Sequence, residues 1–189
     1  MKATSPGAPS GSAARDRLLE TATRLFYADG IHAVGIDRII AGADVAKATF
    51  YKHFPSKDDL VVAYLEEQDR IGREAVAALP RKPPREMIVA ILSRIAKSAS
   101  ADGYRGCPFL NAAAEYPDPS SPVRQVVDRY RTWQRETFRT LIVEVGAPSP
   151  AKMADLLVAL SDGLLESAYL DDPKRIPALI SAAVTILLP

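Results

Sequence analysis

The chain has one cysteine, Cys107, so no internal disulfide can form. Its two histidines, His32 and His53, are far apart, and with a lone thiol they offer no metal-ligand spacing and no base for a Cys107 nucleophile. Gly30 and Gly35 lack the Lys-Ser/Thr that would follow in a phosphate loop. No run of about 18 apolar residues could span a bilayer, and the opening MKATSPGAPSGSAAR lacks the apolar stretch of a secretory signal. Excess charge is missing too. Lys plus Arg number 24 against 23 Asp plus Glu in 189 residues, so bulk charge argues neither for nor against nucleic acid and any basic patch is local. These absences point away from an enzyme, a metal or cofactor protein and a membrane partner, and toward a cytoplasmic protein. The 48% apolar and 25% charged residues are ordinary globular values, enough for one domain or one small module on a larger one.

What is present is helical periodicity. Residues 1 to 11, rich in Gly, Pro and Ser, read as a disordered tail. Leu18, Leu19, Ala22, Leu25 and Phe26 then mark a first helix that stops at Gly30. Ile36, Ile39, Ile40 and Ala43 mark a short second helix, and Phe50 and Phe54 the buried side of a third, which Pro55 ends. Ser56 and Asp59 read as a capping-box variant opening a long helix to about Leu79. Further helices follow after RKPPR, near 107 to 115, after PDPSSP, from about 149 to 170, and after Asp172-Pro173, where Asp caps and Pro takes the first helical position. No alternating pattern suggests a strand, and no internal repeat is found. The expected fold is all-α with about nine helices.

The two short helices joined around Ala43, Asp44 and Val45 have a helix-turn-helix layout, whose second helix enters the major groove of DNA. From Val45 to Lys57 the chain carries Lys47, Lys52, Lys57 and His53 and no acid. With the hydroxyls of Thr49 and Tyr51, these can reach phosphates or base edges while Val45, Phe50 and Phe54 hold the helix down. From charge alone, the same lysines could simply form a solvated face.

The stretch GIDRIIAGADVAKATFYKHFPSKDDL, with its string Tyr51, Lys52, His53, Phe54, Pro55, Ser56, Lys57, closely resembles the DNA-binding region of the TetR family of transcriptional regulators. The resemblance covers about residues 12 to 62. It implies a DNA-binding domain over 12–55, linked by the helix at 56–79 to a ligand-binding and dimerisation domain over 56–189. It also implies that Lys47, Ala48 and Thr49 face the groove, that Tyr51 and His53 contact phosphates, and that Lys57 meets the backbone. Lys52 occupies an exposed slot of variable type in the family. Four positions depart from the family pattern. Asp44 stands where Gly is usual, Ala46 where a hydroxyl N-cap is usual, Ala48 where Gly is usual, and Gly35 at the helix opening where Thr or Ser is usual.

RGCPFLNAAAEYPDPSSPVRQVV further resembles a subgroup carrying Gly106, Cys107, Asn111 and Glu115 before a long helix. Cys107, Asn111 and Glu115 share one helical face, which could meet a ligand or form an internal polar network. Tyr64, Tyr104, Phe109, Tyr130, Trp133 and Phe138 are candidate pocket walls, although aromatics at helical spacing also build plain core. The last two helices are apolar on more than one face, so Leu156, Leu160, Leu164, Leu179, Val184 and Ile186 are expected in a homodimer interface. A two-fold dimer would present its recognition helices about 34 to 36 Å apart to a near-palindromic double-stranded operator. The expected function is a regulator, in the family's usual form a repressor released by an unknown small-molecule effector. The competing reading is a helical binding protein that does not engage DNA.

Overall fold

A computed structural model describes residues 11–99 and 101–188, with side chains for all but 11, 12, 95, 96 and 99. The expected disordered tail, 1 to 11, lies outside the described residues except for Gly11, which opens the first helix. Among the described residues there are nine α-helices and no strand. The chain separates into two compact units, divided between Tyr64 and Leu65.

In the first unit, α1 (Gly11–Asp29) stops at Gly30, whose φ of 91° takes the chain out of the helix while its N–H still bonds Phe26 O at 3.0 Å. The next helix, α2 (Ile36–Ala43), packs on α1 so closely that a Cβ on Gly42 would come within 2.9 Å of the Thr21 methyl. Arg17 Nε donates to the carbonyl of Ala43 at 3.1 Å, satisfying one of the orphan acceptors at the end of α2. Then comes α3 (Lys47–His53), held by the fully buried ring of Phe50. A helix of seven residues would not persist alone in water, so this burial, worth about 1.5 to 3 kcal/mol for such a side chain, supplies much of its stability.

The capping box at Ser56 is present. Ser56 N–H and Oγ both donate to Asp59 Oδ2, at 2.9 and 2.7 Å, while Asp59 N–H donates back to Ser56 Oγ at 3.1 Å. It starts α4 (Lys57–Ala77). Leu60, Val61 and Tyr64 in its first turns are buried.

The second unit holds α5 (Pro84–Ala99), α6 (Pro108–Glu115), α7 (Pro122–Val145), α8 (Pro150–Leu170) and α9 (Ile176–Leu187). Here α7 runs against α8, and α5 packs on α7, α8 and α9. Their shared core includes Ile88, Leu92, Phe138, Ile142, Leu157 and Ile180. Asp172 accepts from Lys174 N–H at 3.0 Å as expected of a cap, but a short 3-10 turn, Pro173–Arg175, intervenes before α9.

Two of the expected dimer residues belong to this core. Leu164 and Val184 are buried within their own chain, and Leu160 is partly buried against the same cluster, because α8 and α9 each spend one apolar face on α5 and on one another. Leu156, Leu179 and Ile186 are exposed.

Candidate nucleic-acid interface

The turn between α2 and α3 is fixed by hydrogen bonds. Asp44 takes the left-handed conformation, with φ 50° and ψ 58°, so that its N–H bonds Ala41 O and the N–H of Val45 bonds Ile40 O, both at 3.4 Å. This is the double closure of a Schellman cap, ordinarily made with glycine. It delivers the chain into α3 with Ala46 extended at the N-cap and no side-chain hydrogen bond there.

On α3, Lys47, Ala48, Tyr51 and Lys52 are exposed at i, i+1, i+4 and i+5, a single face. Thr49 and His53 flank it half-buried, and Phe50 and Phe54 lie on the opposite, buried side. The ring of Tyr51 meets Phe50 edge-on, with centroids 5.2 Å apart, so its phenol stands out from a packed base. Lys57 Nζ lies 6.0 Å from the centroid of Phe26 at the start of α4. Gly35, the extended N-cap of α2, is exposed, and a Cβ there would meet nothing within 4 Å. Asp37 in the first turn of α2 accepts from Lys47 Nζ at 3.1 Å. That hydrogen bond first, and the carboxylate's charge second, raises the Lys47 pKa above its ordinary value. Arg38 pairs with Asp29 at 2.7 Å. Neither pairing was expected from the sequence, since each acid lies on a different helix from its cation, outside the acid-free stretch.

The expected ligand-site residues fall in two places. Tyr64 is buried in the first unit, edge-on to Phe26 at 5.8 Å. In the second unit, Phe109 of α6 stacks on Tyr130 of α7 at 3.8 Å and 7°, and Trp133 follows at 5.7 Å. The Arg73 guanidinium sits 4.8 Å from the Trp133 ring while its Nε bonds Asp69 at 2.7 Å. Burial first, then the Cys107 thiol once it is ionised and the Asp69 and Asp162 carboxylates, pushes the Tyr130 hydroxyl well above its ordinary range, with Arg94 opposing. Arg94 also lines a groove of about 510 Å³ on α5, with Lys82, Glu86, Val89 and Lys97.

Asn111 gives its amide to Arg105 O at 2.8 Å, the internal-network use of that side chain. Tyr104 O–H donates to Leu165 O at 3.2 Å, pinning the segment before α6 to α8. Cys107, buried at the N-cap of α6, and half-buried Glu115 complete the expected set.

A family model for bacterial regulatory proteins of the tetR family matches residues 18–64, the span from within α1 through α2 and α3 to the start of α4. The crystal structure of a TetR-family transcriptional regulator from Streptomyces coelicolor is similar over 94% of this chain and 95% of its own, at 43% identity and a TM-score of 0.89. The chain belongs to the TetR family of transcriptional regulators. A regulator structure from Streptomyces avermitilis, 31% identical, superposes with a TM-score of 0.83 over 93% of this chain and 96% of that one. The HTH-type transcriptional regulator LmrA of Bacillus subtilis is 30% identical over 124 residues, 63% of this chain and 66% of LmrA. As a member of this family the protein is a DNA-binding transcriptional regulator, and its kin bind DNA and act as dimers. Among the described residues no helix is long and apolar enough to cross a membrane.

Proposed function

We propose that this regulator is a cytoplasmic repressor that reads a near-palindromic operator through the exposed face of α3 and leaves it when a small molecule binds the second unit. The observation that carries the DNA half is the division of α3 into an outer row of Lys47, Ala48, Tyr51 and Lys52 and an inner row of Phe50 and Phe54. Lys47, Ala48 and Thr49 would meet base edges, and Tyr51, His53 and Lys57 would meet phosphates. Gly35 brings backbone, without a side chain, to the phosphate at the start of α2. A mobility shift with fragments from upstream of the protein's own gene tests this. Lys57→Ala should weaken binding to all duplexes and flatten the salt dependence by about one phosphate, whereas Lys47→Ala should change sequence preference. Unchanged affinity in the Lys47, Tyr51, Lys57 triple alanine variant would reject α3 as the reading helix.

The effector half is supported by the aromatic cluster of Phe109, Tyr130 and Trp133 in the second unit, side chains of the kind that line small-molecule sites. Asp69, Asp162 and Arg94 bring charges of both signs near Tyr130. Release requires that the molecule prefer the conformation poor at binding DNA, and a tenfold loss of operator affinity needs about 1.4 kcal/mol of coupling. A compound library followed at once by Trp133 fluorescence and operator release is the test. Compounds that quench Trp133 and leave operator affinity unchanged would separate binding from regulation.

A further inference from the structure

Asp37 is an acid on the side of the helix-turn-helix that carries the basic row, where an exposed negative charge opposes DNA. It is the second residue of α2 and reaches across to the first residue of α3, where its Oδ1 accepts a hydrogen bond from Lys47 Nζ at 3.1 Å. Both side chains are largely exposed, so the pair is weak and open to exchange with an incoming partner. Its chemistry is nevertheless selective. A lysine ammonium has three protons. One goes to Asp37, leaving two for acceptors in front of α3.

A DNA phosphate that approaches those two protons must also approach the carboxylate, and like charges repel. A guanine edge presents two neutral acceptors, O6 and N7, in the major groove and meets no such repulsion. The Asp37–Lys47 pair together carries no net charge to exchange for condensed counterions, so it adds little to the sequence-independent attraction of the duplex.

We propose that Asp37 is a specificity-determining residue. By holding Lys47 in an ion pair, it withholds that ammonium from phosphates and directs it to a guanine edge of the operator. The inference rests on the reading of α3 as the DNA-facing helix and adds a partner to it from α2.

The test uses the full chain, wild type and Asp37→Asn, with two duplexes followed by fluorescence anisotropy across salt. One is the duplex that wild type selects from a random library, and the other is its scrambled counterpart. On scrambled DNA, Asp37→Asn is expected to bind more tightly and to steepen the salt slope by about 0.9, so that it loses roughly three- to fourfold more affinity than wild type between 50 and 200 mM salt. On the selected duplex the gain should be smaller, so the specificity ratio falls, and repeating the selection with the variant should lose a guanine that wild type enriches. Lys47→Ala in the Asp37→Asn background should abolish the gain.

Equal gains on both duplexes, a gain that survives removal of Lys47, or an unchanged slope each overturn the proposal. Tyr51→Ala and Lys57→Ala separate the two levels. If they weaken binding while Asp37→Asn changes nothing, only Asp37's role fails; if they too change nothing, α3 itself is not the interface.

Discussion

Asp44 pays a conformational cost at the turn that orients α3. A left-handed L-residue is disfavoured by about 1 to 2 kcal/mol, less for Asp than for most, whereas glycine's extra chain entropy costs about 0.5 to 1 kcal/mol. Asp44→Gly is therefore expected to stabilise the protein by about 0.5 kcal/mol, and Asp44→Val to destabilise it, in chemical denaturation. The same turn was legible in outline because Ala43-Asp44-Val45 falls between two apolar periods, but the closing bonds from Asp44 and Val45 follow from backbone geometry that residue type only permits. Cys107 gives a second expectation at this scale. Burial raises its thiol from an ordinary value near 9.0 to about 11, against the lowering effect of the Leu110 and Phe109 N–H groups. The folded state thus holds the proton more tightly than the unfolded chain. The associated stability is fully present below about pH 9 and is lost as pH rises through 11. At pH 8 an aromatic disulfide reagent should modify native Cys107 far more slowly than the unfolded chain; equal rates would show that the thiol is not shielded.

Among the elements, α3 is the one whose local chemistry is weakest for its role. It has seven residues, an N-cap, Ala46, with no side-chain acceptor, and one fully buried side chain, Phe50. A serine at the cap supplies a side-chain acceptor for the N–H of Ala48, whereas the Thr49 N–H already bonds Ala46 O at 2.9 Å, and such caps are worth about 0.5 to 2 kcal/mol. Ala46→Ser should raise hydrogen-exchange protection at the Ala48 amide, and an unchanged rate would mean that the start of α3 opens only with the whole unit. The helices themselves could be read from sequence because each buries one stripe at a period of 3.6. The capping box at Ser56 and Asp59 was legible because both its residues are local. What escaped the sequence was relational. Apolar spacing alone cannot tell which of two faces α8 gives to α5 and which it leaves bare, so Leu164 and Leu156 looked equivalent. Nor could it show that Asn111 would be used on Arg105 O, or that Tyr64 would pack on Phe26. Ser149, left-handed at φ 53° before Pro150, had no glycine to announce it.

For the molecule as a whole, we propose that apolar residues left exposed on α8 and α9 form a dimer interface. Ile186 is 78% exposed, Leu170 73%, Leu156 51% and Leu179 42%. On α8, Leu156, Ala159, Gly163 and Leu170 are exposed at helical spacing, and on α9 so are Leu179, Ala182 and Ile186. Gly163 is informative because a helical glycine costs about 1 kcal/mol relative to alanine, yet beyond its own stretch of helix backbone no atom of the chain lies within 4 Å of where a Cβ would stand. The fold gives no reason for it; close approach by a second helix would. An isologous dimer through these faces fits kin that act as dimers, and it would join two α3 helices into one DNA-binding body. The double variant Leu179→Glu, Ile186→Glu should sediment near 20.4 kDa instead of twice that mass, with its helical signal intact because both positions face outward. Its operator affinity should fall by roughly 10² to 10⁴, the advantage that linked half-sites confer. Val184→Glu should behave differently, unfolding the second unit instead of splitting a dimer, since Val184 is buried within its own chain. If the Leu179, Ile186 variant remained dimeric at micromolar concentration, the interface would lie on another face, and the glycine at 163 would need a different explanation.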